Sequence, residues 1–219
     1  MLSDLSFLLS IIVKVAAIVV GVVYWKWLPL PYRIIMAQIF VGILAETAGK
    51  IMNMLHYPSN QWVFNIYMLA ETLLIGSAAY FFMKEGRARR LAKYLLLSFI
   101  VCWPLCLYAY TFFHFFSAYY VSYSFFLILL YTYVLTNYAL FTKKKLLGNP
   151  LFIICISVIM MFAGTIPFFG TLKHVVENDI DVALLLFYVI ITINLIRYLL
   201  VTIAFYLCGS QAKGGYVRQ

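Results

Sequence analysis

The chain has 219 residues, of which 66% are hydrophobic and only 11% charged, with a mean hydropathy of +1.00 and a formal net charge of +9. About a quarter of an ordinary soluble domain is charged, so a water-solvated fold is excluded and a bilayer must be the solvent. The apolar runs do not alternate with polar residues, which excludes transmembrane β-strands; an all-α integral membrane protein is expected.

A helix needs roughly 20 apolar residues to cross the ~30 Å hydrocarbon core. Seven stretches qualify: 5–25, 31–54, 61–83, 91–112, 117–142, 149–170 and 181–208. The hinges between them leave no room for a soluble domain, so residues 1–219 are expected to form a single seven-transmembrane-helix bundle. The start, Met1-Leu2-Ser3-Asp4, has no basic region and no cleavage site follows the first run. The first span is therefore expected to be retained.

Span 5–25 carries Lys14 among apolar neighbours, with Ala17 and Gly21 at a spacing that favours close helix approach. Span 31–54 holds Glu46 and Lys50 one turn apart, with Ala45 and Gly49 at the same small-residue spacing. Span 61–83 holds Glu71. A charge at mid-bilayer costs at least ~2.5–3.5 kcal/mol, so such groups face inward and pair. At ~1.5 Å per residue, Lys14, Glu46 and Glu71 come to roughly the same depth. A Lys14–Glu46–Glu71 cluster is expected, with one proton relieving its surplus negative charge. Lys50 pairs with Glu46 or reaches the surface. The competing reading is a structural lock between the first three helices.

The hinge after span 61–83 is basic: Lys84, Arg87, Arg89, Arg90 and Lys93 against Glu85. Span 91–112 contains Cys102, Pro104 and Cys106; none of the four cysteines falls in an outer hinge, so no disulfide framework is implied. Span 117–142 repeats Tyr120, Ser124, Tyr131 and Tyr138 along one face, followed by Lys143, Lys144 and Lys145. Pro167 interrupts span 149–170. The next hinge is acidic, with His174, Glu177, Asp179 and Asp181. His56 and His114 lie in the other outer hinges, and no metal-ligand spacing connects the histidines. In span 181–208, Asn194, Arg197 and Tyr198 share a face, and Arg197 is expected to find backbone carbonyls, Asn137 or tyrosine hydroxyls.

Lys and Arg collect in cytoplasmic loops. The alternation of basic and non-basic hinges puts the N-terminus outside and the C-terminus in the cytoplasm, in a plasma or inner membrane. Trp25, Trp27 and Trp62 lie near span ends, as interfacial anchors do. Membrane lipids are expected partners, and the basic inner hinges, at Arg87, Arg89, Arg90 and Lys143 to Lys145, suit a cytoplasmic protein or anionic headgroups. Nucleic acid is not an expected partner. The topology is similar to that of rhodopsin-type proteins, but span 181–208 has no lysine for a Schiff base. No cofactor motif, catalytic motif or metal site is found. The ligand or ion site is expected among Lys14, Glu46, Lys50, Glu71, Asn194, Arg197 and Tyr198. The favoured function is a non-enzymatic sensor, receptor or accessory bundle responding to a small ligand, lipid or proton. The alternative is a small transporter or channel using the Lys/Glu cluster.

Overall fold

The computed structural model describes residues 2–110, 114–140, 146–178 and 180–216. They are 91% helical and contain no strand. Seven helices are long and apolar enough to cross a membrane. They are α1 (Leu2–Val23), α2 (Leu30–Met54), α3 (Gln61–Phe82), α4 (Arg87–Tyr110), α5 (Ser117–Val134), α6 (Pro150–Asn178) and α7 (Ile180–Tyr216).

Breakers and caps set the ends. Pro29 holds Leu28 in an extended conformation (ψ 125°), which ends the short turn Trp25–Trp27 after α1. Pro31 occupies the first turn of α2, where its missing N–H leaves nothing unsatisfied. Asn149 caps α6: its Oδ1 accepts from Leu151 N at 3.1 Å. Its Nδ2 donates to Ala139 O at 2.8 Å. Ala139 ends a wider π-type turn, Leu135–Ala139, which continues α5 and is closed by Leu140 N donating to Leu135 O at 3.0 Å. Helices α6 and α7 overrun their expected spans, reaching Asn178 and Tyr216 rather than 170 and 208. Hydropathy marks the apolar slab, whereas a helix continues until a breaker stops it.

Helix α2 closes with His56 at φ 55°. Tyr57 N donates to Met52 O at 3.0 Å, the bond that terminates helices ending in a left-handed residue. Glycine takes that conformation without Cβ crowding. His56→Gly is expected to raise stability by about 0.5–1 kcal/mol in chemical unfolding.

The helices group into two compact units, residues 1–29 with 124–219 and residues 30–123. In the first, α7 packs along α1 and α6. Ala17, Phe162, Ala204 and Phe205 are fully buried there. In the second, α3 packs between α2 and α4. Gly42 and Gly49 of α2 face Tyr67 and Phe64 of α3, so the small-residue stripe of α2 brings the two backbones together. Apolar side chains such as Ile12, Val19, Leu97, Val101 and Leu105 face outward. Lipid tails can solvate such a surface and water cannot.

Candidate functional site

The second unit is organised around one carboxylate. Glu71 is 2% exposed on α3. Its Oε1 accepts from the Tyr67 hydroxyl at 2.9 Å and from Gln38 Nε2 at 3.1 Å. Its Oε2 accepts from the Tyr123 hydroxyl at 2.9 Å. Gln38 Nε2 also donates to the Tyr67 oxygen at 2.7 Å, closing a triangle of Gln38, Tyr67 and Glu71. The donors come from α2, α3 and α5, and Gln38 and Tyr123 are fully buried.

Each donor is placed by its helix. Tyr67 precedes Glu71 by four residues, so the two stack on one face of α3. Gly42 leaves room for the phenol: a Cβ there would lie 3.2 Å from the Tyr67 oxygen. Tyr123 is anchored by rings, with centroids of Tyr119 and Tyr120 at 5.5 Å and 5.2 Å. Charge-assisted bonds to a carboxylate are about twice as strong as neutral ones.

Two residues before Tyr67, Asn65 clasps the segment between α4 and α5. Its Nδ2 donates to His114 O at 2.8 Å, and its Oδ1 accepts from Phe116 N at 3.2 Å. Trp103 Nε1 donates to the Asn65 carbonyl at 2.8 Å. Asn65→Asp would set two acceptors, the new carboxylate oxygen and His114 O, against each other. A loss of about 2 kcal/mol is expected in thermal unfolding, whereas Asn65→Gln should restore part of it.

The first unit holds two buried cations. Lys14 and Arg197 are each 1% exposed. The Lys14 ammonium lies 5.0 Å from the ring centre of Tyr198, and the Arg197 guanidinium 5.1 Å from the same ring. Arg197 also lies 6.0 Å from the Phe162 ring and bonds the Met161 sulfur through Nη1. Desolvated contacts of this kind are worth ~2 kcal/mol. Arg197 and Tyr198 are buried as their shared face with Asn194 leads one to expect, and Asn194 is half-buried. Asn137 does not serve as expected. It is exposed, and its amide donates to Tyr133 O of its own helix at 2.9 Å, because the π-type turn swings it outward.

Glu46 and Lys50 are half-buried on α2. The expected Lys14–Glu46–Glu71 cluster draws Lys14 from the first unit and both carboxylates from the second. Arg87 and Arg90 are exposed, and Arg89 stacks 4.3 Å from the Tyr80 ring centre. Lys143, Lys144, Lys145 and Asp179 lie outside the described residues, as do the side chains of His174 and Glu177. Among the described residues, no three metal-ligating side chains converge. Sequence reasoning reached Glu71 and missed its donors. The four-residue spacing from Tyr67 was an available signal; the register that brings Gln38 and Tyr123 to the same point was not.

No protein-family model, curated protein or solved structure matches this chain.

Proposed function

We propose that the protein is a non-enzymatic membrane sensor or accessory protein whose responsive element is the Glu71 junction. In this reading the N-terminus is outside, the C-terminus is cytoplasmic, and the basic hinge at Arg87, Arg89 and Arg90 couples to a partner.

The observation that carries the reading is the donor shell on Glu71. A site for a metal cation turns oxygen lone pairs toward the ion. Here two phenols and an amide aim hydrogens at the carboxylate, and all three would have to turn before an ion could enter. A proton needs no such cavity. Protonation turns one carboxylate oxygen into an O–H donor and removes the negative charge that strengthens the three bonds. Because the donors sit on three helices, that single event loosens α2 and α5 from α3.

Trp103, bonded to α3 in the same unit, reports the change. With Trp25, Trp27 and Trp62 replaced by Phe, its emission in nanodiscs is expected to shift reversibly between neutral and acidic pH. Glu71→Gln should abolish the shift. An emission that ignores pH, together with proton or cation flux into liposomes that is lost in Glu71→Gln, would overturn this reading in favour of a transporter.

A further inference from the structure

We propose that the groove between α3 and α4 binds one anionic phospholipid, with an acyl chain on its apolar floor and the headgroup at its basic rim. The groove encloses about 270 Å³ and is lined by Ser77, Tyr80 and Phe81 of α3 and Lys93, Leu97 and Ile100 of α4. That volume lies just below the ~300 Å³ at which small-ligand pockets begin, so it suits a segment of one chain.

Gly76 shapes the floor. A Cβ there would collide with the Leu96 methyl, so glycine lets Leu96 lie against the backbone of α3. Along α4, Arg89, Lys93, Leu97 and Ile100 follow at three- and four-residue spacing, so one face passes from cationic to apolar. A phospholipid has the same sequence of properties along its length.

The rim is strongly basic. Lys84, Arg87, Arg89, Arg90 and Lys93 stand against Glu85, and Arg89 is the only one of the five that is not fully exposed. Arg89 is held in place, 4.3 Å from the Tyr80 ring, 5.9 Å from the Phe81 ring and 3.8 Å from Glu85. Each basic residue near the surface attracts anionic lipid by about fivefold in affinity. The occupant is a lipid rather than a peptide because most of α4 is exposed along its apolar length, where only 6% of the window is buried. The site stands independently of the role of Glu71.

The test uses the whole protein with phosphatidylglycerol or phosphatidylcholine of matched chains, read as bound lipid by native mass spectrometry. Phosphatidylglycerol is expected to be retained preferentially. Arg90→Gln with Lys93→Gln should weaken it by on the order of 30-fold. Lys84→Gln with Arg87→Gln removes equal charge from side chains that do not line the groove and should cost less, because a headgroup at Lys93 is attracted most by the charges nearest to it. Ser77→Leu or Ser77→Phe narrows the groove without touching charge and should also release the lipid, with helicity and elution volume unchanged. Equal losses in the two charge variants, retention in both Ser77 variants, or no preference between headgroups would each overturn the assignment.

Discussion

Glu71→Leu is expected to destabilise the protein by at least about 2 kcal/mol, the largest loss from any single polar side chain in the second unit. Leucine fills similar volume but strands the hydroxyls of Tyr67 and Tyr123 and the amide of Gln38. Hydrogen bonds inside membrane proteins average ~0.6 kcal/mol, which sets the lower bound for three. A buried donor left without an acceptor costs ~1–3 kcal/mol, which sets the upper end. Glu71→Gln should fall between wild type and Glu71→Leu, because its carbonyl still accepts while its NH2 faces a donor. Tyr123→Phe removes one donor from the carboxylate, so its cost should stay below about 1 kcal/mol. Unfolding in nanodiscs by heat, followed through Trp103, gives the order. If Glu71→Leu unfolds with wild type, the junction does not hold α2, α3 and α5 together.

Gly209→Ala should be nearly as damaging in the first unit, for a steric reason. A Cβ at residue 209 would overlap the Cβ, Cγ and Cδ1 atoms of Tyr24. Those atoms are the root of the side chain, so no rotation of the ring clears them, and α7 would have to move from the end of α1. Overpacking of this kind costs ~1–3 kcal/mol. Tyr24→Ala in the same chain should rescue only part of the loss, because its own Cβ remains in place. Gly214 is the internal control. It lies on the same helix with nothing within 4 Å of an added Cβ. There alanine should be neutral or stabilising by about 0.5–1 kcal/mol, since glycine weakens a helix interior. Similar losses at 209 and 214 would show that helix propensity, not the contact with Tyr24, is being measured.

Individual residues show how far the chain can be read without its fold. Lys14, Glu71 and Arg197 stand out in sequence because charge among apolar neighbours is costly, and all three are buried. Their surroundings were not legible in the same way. Arg197 was expected to meet carbonyls, Asn137 or a phenol hydroxyl. It lies by the Met161 sulfur and the rings of Phe162 and Tyr198, groups that read as ordinary core. Asn65 drew no attention in a span rich in polar side chains, yet it makes two bonds to the segment beyond α4. Gly209 belongs to no small-xxx-small pair and Gly76 only to one with Thr72, and a facing side chain reveals why glycine is needed at each.

The amino-acid sequence alone determined the all-helical class, the seven helices long and apolar enough to cross a membrane among the described residues, and three charged positions that are buried, Lys14, Glu71 and Arg197. These follow from local quantities, hydropathy summed over one turn after another and the cost of a bare charge in hydrocarbon. The tertiary structure decided which groups satisfy those positions: Gln38, Tyr67 and Tyr123 on Glu71, and Tyr198 between Lys14 and Arg197. Such pairings depend on the rotation and axial offset of one helix against another. The packing of whole helix faces sets both, and no single segment encodes either.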